Sequence, residues 1–379
     1  MRKKFTDCVD IVGKSCENFE GTKFYISTGA VDEDDINEYG IETINFEEKP
    51  SRANLIVKSD DIIFAKMQAT KKTLLINEEF AEYVYSTGFC AVHAKKNILT
   101  RDCLLYLLMS EAFLNQKDKN CSGATQKAIT NAGLQKIIVN IPDYKLQDDI
   151  SKKLSILLKV ISMRQNELDM LEDLIKARFV EMFGDPRSNP FGFEKMILKD
   201  TCKIITGNTP SRAIDEYYGE FIEWIKTDNI VSGLLYPTKA IEGLSEKGVK
   251  IGRTVDKDSI LMACIAGSIA SIGRVCITDR RVAFNQQINA IIPQKYNIHF
   301  LYVLLQISKD YLVEDINMAL KGILSKSKLE EKEFVVPPKE LQEQFADFVN
   351  QVNKSKVVVQ KSLDETKMLF DSLMQKYFG

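Results

Sequence analysis

The sequence predicts an α+β protein built by duplication: two related tandem α/β domains separated by a pair of long coiled-coil helices. Three observations predict it. A chain of 379 residues exceeds one ordinary core, so two domains are expected. Two long stretches repeat their apolar residues with a period of about 3.5, the pattern of a coiled coil. A shift of 195 residues lays one of these stretches on the other. The expected boundaries are a first domain at 1–141, a first helix at 142–184, a second domain at 185–336 and a second helix at 337–379.

Both domains carry short β-branched runs, such as DIIFAKM, SILMACIAG and ASIGRVCIT, separated by Gly, Asp and Asn turns. The runs correspond across the copies. LIVKSDDIIFAKM (55–67) matches RTVDKDSILMACI (253–265), FYISTGAV (24–31) parallels EWIKTDNI (223–230), and YSTGFCAVHAKK (85–96) parallels FNQQINAIIPQK (284–295). Each domain also has an apolar helical stretch before its long helix, RDCLLYLLMSEAFLNQ in the first and NIHFLYVLLQISKDYLVEDI in the second.

In the first long helix Ile150, Leu154, Leu157, Ile161, Arg164, Leu168, Leu171, Ile175, Arg178 and Met182 follow one 4-3-4-3 register. In the second, Phe345, Val349, Val352, Lys356, Val359, Leu363, Thr366, Phe370, Leu373 and Tyr377 hold the same register. A solvated helix or a simple dimerisation coil would share this spacing. The matched registers favour an intramolecular pair that acts as a spacer between the domains. The seam is expected at Leu154, Leu157, Ile161, Leu168, Leu171, Ile175, Val349, Val352, Val359, Leu363 and Phe370. Pro142 and Pro337 lie at the two helix starts, where Pro pre-sets φ. Phe183-Gly184 and Phe378-Gly379 close the two copies, and Asp185-Pro186 is expected to break the first helix.

Hydrophobic content of 45% and charged content of 27% are those of a soluble globular protein. No apolar run approaches the ~20 residues that span a bilayer. The opening MRKKFTDCVD has no apolar segment of the kind a signal peptide needs, so the cytoplasm is expected. The eight cysteines form no CxxC and the only histidines are His93 and His299, which predicts scattered buried thiols and no zinc site. A net charge of −2 and a pI near 6.0 argue against a protein that coats nucleic acid. They leave room for one that reads a sequence through a locally basic cleft.

The common catalytic patterns are missing. There is no GxxxxGK[ST], no GxGxxG opening a helix, no HExxH, and no His-based triad is expected from two distant histidines. The run VPPK at 336–339 lacks the Asn and aromatic residue of an amino-methyltransferase loop and reads as a helix start. The second domain opens with ITGNTPSRAIDEYYGEFIEWIKTDNI, where Thr206, Asn208, Thr209, Ser211 and Arg212 sit in a Gly-Pro loop. Such a loop binds phosphate oxygens or is a plain surface turn, and composition leaves both open. Trp224, the only tryptophan, is expected in the core.

Gly-x-Thr-Pro, then Trp-Ile-Lys-Thr-Asp, a β-run ending in Gly-Arg, Asn-Gln-Gln, and a long helix closing on Phe-Gly-Asp-Pro together resemble the DNA-specificity subunit of type I restriction–modification systems. SGATQKAITNAGLQKIIVNIP (122–142) is similar to that family's link between a target-recognition domain and its helix. The resemblance implies a non-catalytic subunit that directs methyltransferase and restriction subunits to a bipartite DNA target. It implies that two target-recognition domains each read one half-site and that the helices pack antiparallel and set the unread spacer. It further implies double-stranded DNA, two methyltransferase subunits and restriction–translocase subunits as partners. S-adenosylmethionine, ATP and Mg would then belong to those partners, with no cofactor on this chain.

By the same resemblance, Asn208, Thr209, Ser211, Arg212, Lys226, Thr227, Asp228, Asn229, Ser268, Arg274, Asn285, Gln286, Gln287 and Lys321 are expected near DNA in the second domain. In the first, the candidates are Lys66, Gln68, Lys71, Lys72, Ser86 and Thr87, with Gly123, Thr125, Gln126 and Lys127 of the 122–127 loop. Arg suits guanine, Asn and Gln suit adenine, and Lys, Ser and Thr more often hold phosphates. Gly13 corresponds to Gly207, but the segment after it has no Thr-Pro and is shorter, which puts the role of residues 14–24 in question. Two alternatives share the duplicated plan: a non-catalytic coiled-coil scaffold with two ligand-binding modules, and the specificity chain of a related restriction system.

Overall fold

The computed structural model of the chain describes residues 1–32, 35–314, 316 and 322–379. They form two compact units, Met1–Arg164 with Lys361–Gly379, and Gln165–Gln360. Each unit therefore contains one domain and a part of both long helices.

The first unit has two four-stranded sheets. One is antiparallel, with strands Val9–Val12, Phe89–Ala94, Ile62–Ala65 and Thr73–Leu75 side by side. The other runs Ile41–Ile44, Lys23–Ile26, Val84–Ser86 and Ala53–Leu55, with Lys23–Ile26 and Val84–Ser86 parallel. A short pair, Arg2–Lys4 with Ile138–Asn140, closes the domain beside its long helix. The second unit repeats this plan: Cys202–Thr206, Ile288–Pro293, Ile260–Ala263 and Val275–Ile277 in one sheet, Gly243–Leu244, Tyr218–Ile225, Val282–Phe284 and Thr254–Val255 in the other, and Lys195–Ile197 with Glu333–Val335 as the short pair. Even the register is copied. Phe89 faces Ala65 and Val92 faces Ile62, as Ile288 faces Ala263 and Ile291 faces Ile260.

The near-continuous apolar runs follow from burial on both faces. Side chains alternate along a strand. In DIIFA, Ile63 and Ala65 enter a core with Tyr85 and Phe89, while Ile62 and Phe64 enter another with the helices. In SILMA, Leu261 and Ala263 join Phe284 and Ile288, while Ile260 and Met262 join Phe300 and Phe345.

The long helices span Tyr144–Phe183 and Lys339–Phe378, both of 40 residues. Their starts and ends differ by the 195 residues of the sequence repeat. Within the second unit Glu172 pairs with Lys356, and Phe179 and Phe183 touch Phe345, so one helix number rises as the other falls: the pair is antiparallel. Within the first unit Ile150 and Leu154 share a core with Met374 and Phe378.

Polar side chains at seam positions are accommodated. Arg178 lays its guanidinium over Phe348, Lys356 pairs with Glu172, and Thr366 donates to the Ser362 carbonyl of its own helix. Two buried glutamines fasten the helix starts. Gln147 accepts from the Thr100 amide and donates to the Ile98 and Pro142 carbonyls. Its counterpart Gln342 accepts from the Asn297 amide and donates to the Pro337 carbonyl.

The first helix closes one step before the expected Asp-Pro break. Gly184 is left-handed (φ +71°), and a Cβ there would stand 2.3 Å from Pro190. Its amide bonds the Val180 carbonyl, forming the usual glycine C-cap. Asp185 then accepts from the Arg187 and Ser188 amides, which hold its carboxyl below the ordinary carboxylate range.

Candidate nucleic-acid interface

In the second unit the candidate residues gather at the ends of neighbouring strands. Gly207 follows the strand Cys202–Thr206 and bonds the Ile288 carbonyl, and the next amide bonds that of Phe284. A Cβ on Gly207 would lie 2.1 Å from the Asn285 carbonyl oxygen, so backbone meets backbone here. Gly207→Ala is therefore expected to cost about 1–3 kcal/mol of stability, as overpacking of a tight site does; urea unfolding followed by Trp224 fluorescence checks it.

The loop beyond Gly207 is tied down from several sides. Asn208 accepts from the Arg253 amide at 2.8 Å and donates to the Ile251 carbonyl at 3.0 Å. Thr209 donates to Gln286. Trp224, 3% exposed as a core position would be, donates its indole N–H to the Asn208 carbonyl, and the Tyr218 hydroxyl donates to that of Pro210. Ser211 is exposed. Arg212 places its guanidinium in cation–π contact with Tyr218 and Trp224, with its Cζ 4.4 and 5.1 Å from the ring centres. Glu242 pairs with both Arg212, at 2.7 Å, and Lys226, at 3.0 Å. The Arg212 and Lys226 hydrogen bonds hold the Glu242 carboxyl below its usual range.

Thr227, Asp228 and Asn229 form a single 3-10 turn. Asn229 is committed to it, accepting from the Lys226 amide and donating to Thr238 and the Lys239 carbonyl. Asp228 is exposed. Asn285 is likewise engaged within the protein, donating to the Gln287 side chain and accepting from the Gln287 amide. The Gln287 carbonyl accepts from the Cys264 and Ile265 amides, which places the 267–274 turn next to it. In that turn Ser268 donates to Ser271, and Arg274 donates to the Ser271 carbonyl. Lys321 lies outside the described residues.

In the first unit the candidates also converge. Lys66 donates to the Thr87 carbonyl, and Lys72 to that of Thr28. The Gln68 amide bonds the Lys127 carbonyl and the Ile129 amide that of Lys66, so the 122–127 loop lies against the 66–72 loop. Gln68, Lys71, Thr87, Gly123, Thr125, Gln126 and Lys127 are exposed, whereas Ser86 is buried and accepts from the Gly88 amide. The segment after Gly13 takes another course: Lys14 pairs with Ile56, and the Cys16 amide bonds the Asn54 side chain.

Lys117, which no sequence pattern singled out, lies beneath this loop pair. It is 1% exposed and donates to the Ala65, Met67 and Thr70 carbonyls at 3.4, 3.0 and 2.7 Å. Asp118 flanks it at 3.4 Å and accepts from the amide of Ala69, whose φ is +59°. Burial pushes the Lys117 pKa down, against Asp118. Arg253 and Glu242 were also not among the candidates. Both come beside the 207–212 loop from positions 30 or more residues away.

Of the expected seam positions, Leu154, Leu168, Ile175, Val349, Val352, Val359 and Leu363 are buried, and Leu157, Ile161, Leu171 and Phe370 are partly buried. All eight cysteines are unpaired and seven are buried. Burial lifts the Cys103, Cys202, Cys264 and Cys276 thiols to about 12. Among the described residues there is no group of three or more His, Cys, Asp or Glu fit to hold a metal, and no helix long and apolar enough to cross a membrane.

Two copies of one sheet domain, each with polar and basic loops gathered at its strand ends and each packed on parts of two antiparallel helices, define a duplicated recognition protein. The chain belongs to the type I restriction–modification DNA specificity family, whose domain model matches residues 8–173 and again 190–365. It is 23% identical over 342 residues to the type I restriction enzyme HindI specificity subunit of Haemophilus influenzae, across 70% of this chain and 73% of that one. It is 23% identical over 390 residues to the MjaIX specificity subunit of Methanocaldococcus jannaschii, across 97% and 84%. Its fold is similar to that of the type I restriction–modification S subunit from M. genitalium, with a TM-score of 0.60 at 13% identity, over all of this chain and 96% of that one. A second solved structure, from work on assembly and conformational transition of the type I system, gives 0.59 at 19%, over 100% and 97%.

Proposed function

We propose that this chain is the sequence-reading subunit of a type I restriction–modification complex and that each unit reads one half of a two-part duplex target. The long helices set the unread spacing, and two methyltransferase subunits take their position from them. Catalysis, with S-adenosylmethionine, ATP and Mg, belongs to those partners and to the restriction subunits.

One observation carries this reading. The two units share strand order, strand register and helix offset, yet their loops differ in chemistry at corresponding strand ends. Arg212, Trp224 and Lys226 cluster in the second unit. In the first, the aligned positions of Trp224 and Lys226 hold Tyr25 and Ser27, and the segment after Gly13 has no arginine. A repeated scaffold with unlike loops suits two unlike half-sites. An acidic chain overall, it would draw its phosphate contacts from local lysines and from partner subunits.

Mapping methylation genome-wide, with the chain co-expressed with its methyltransferase partner, is the test. A motif in two parts with a fixed gap is expected. A continuous motif, or none, would overturn the reading.

A further inference from the structure

Arg212 is 55% exposed, yet its guanidinium has a defined place. Its Cζ sits close to the centres of two rings that are themselves anchored. Trp224 is held in its strand beside Ala283 and by its N–H on Asn208, and Tyr218 is held by its hydroxyl on Pro210. Glu242 fixes one end, and Lys226, 5.2 Å from the Trp224 ring, fixes Glu242 in turn. An exposed arginine usually wanders over many rotamers; this one is pre-organised, so little freedom is left to lose on binding.

The contact with Glu242 uses one N–H of Nη2. Nη1 and Nε have no protein acceptor among the described residues. Whichever Nη2 hydrogen faces Glu242, one two-pronged edge of the guanidinium stays complete for a ligand. Phosphate and a guanine edge both match such a fork. Glu242 tips the choice: a phosphate would bring its negative charge beside a carboxylate that Lys226 offsets only from its other oxygen, whereas the N7 and O6 acceptors of guanine carry no net charge.

We propose that Arg212 is a base-reading, specificity-determining residue of the second unit, that the base is guanine, and that Glu242 is its positioning residue. This rests on the reading that the second unit contacts one half-site. Among the described residues the first unit holds no counterpart cluster, and its Tyr25 is 4% exposed, so the effect is confined to one half of the target.

The test uses the full chain with its methyltransferase partner, and duplexes carrying the methylated motif with each base pair replaced in turn. Arg212→Ala and Arg212→Lys are expected to lose roughly tenfold or more of the discrimination at one G·C pair, as removal of a two-pronged base contact does. All other positions should keep theirs. Glu242→Gln keeps an acceptor but removes the charge. It should weaken discrimination at the same pair while raising affinity for unrelated DNA and steepening its salt dependence. Uniform weakening across all duplexes by Arg212→Ala marks a phosphate contact and overturns the proposal. So does an unchanged profile, or a loss centred on an A·T pair. A wild-type complex with no sequence preference at all would instead sink the DNA reading beneath it.

Discussion

Phe183→Ala is expected to destabilise the second unit by about 3–5 kcal/mol, the usual cost of emptying a large buried aromatic site. Phe183 is fully buried and has four aromatic neighbours: Phe179, Phe193, Phe300 and Phe345, with ring centres 4.8–6.2 Å away. These come from both long helices, from the segment after Gly184 and from the domain helix Ile298–Ile307. One side chain thus joins four parts of the unit, and none of them can collapse into the space without pulling on another. The measurement is convenient because Trp224, the only tryptophan, lies in the same unit. Its fluorescence follows the second unit, while circular dichroism follows the whole chain. Phe378→Ala, the counterpart in the first unit, should lower the dichroism transition and leave the Trp224 transition in place. If Phe183→Ala leaves the Trp224 midpoint where it was, the aromatic cluster is not what holds the helices to the domain.

Lys117→Met is expected to cost roughly 3–5 kcal/mol, in the first unit alone. Methionine matches the length of the lysine stem but supplies no donor. The Ala65, Met67 and Thr70 carbonyls would lose the ammonium that gathers them, and Asp118 its partner. Buried acceptors left without a donor carry their full desolvation cost. Ala69, in the left-handed region, would then have less to hold it there. The loop that carries Lys66, Gln68, Lys71 and Lys72 should loosen, and discrimination in one half of the target should fall with it. A variant with an unchanged dichroism transition and an unchanged motif would show that the buried ammonium is incidental.

The architecture was legible because duplication writes the same constraint twice. A seam residue in one helix predicts one 195 residues on, and Pro142, Gln147 and Phe183 have Pro337, Gln342 and Phe378 as their echoes. The strands were legible because runs such as DIIFA and SILMA are buried on both faces. The helix end at Gly184 was less so, since Pro186 is the louder signal and the close approach of Pro190 shows only in three dimensions. The loops were legible as a set of polar residue types at strand ends. What each does there was not. Asn208, Asn229 and Asn285 have the same chemistry as any outward-facing asparagine, but their side-chain amides are taken up within the protein, by Ile251, Thr238 and Gln287. Lys117 reads as one more lysine on a charged helix until the carbonyls above it are placed. Glu242 acquires its meaning only from Arg212 and Lys226, which reach it from a distant loop and from just past the end of the strand Tyr218–Ile225.

The division of the chain between its two units has a consequence for how it is made. The second unit is one unbroken segment, residues 165–360. The first is not: Met374 and Phe378 bury themselves in a core with Phe5 and Val139, and Asn140 bonds the carbonyl of Gly379. A ribosome delivers residues in order, so the second unit has all its parts while the first still lacks the helix turns that cover its core. Long-range closure of this kind is slow, and an unfinished core is sticky. The domain synthesised first is thus the one completed last, and until residues 361–379 arrive it must wait with an apolar face open to other chains.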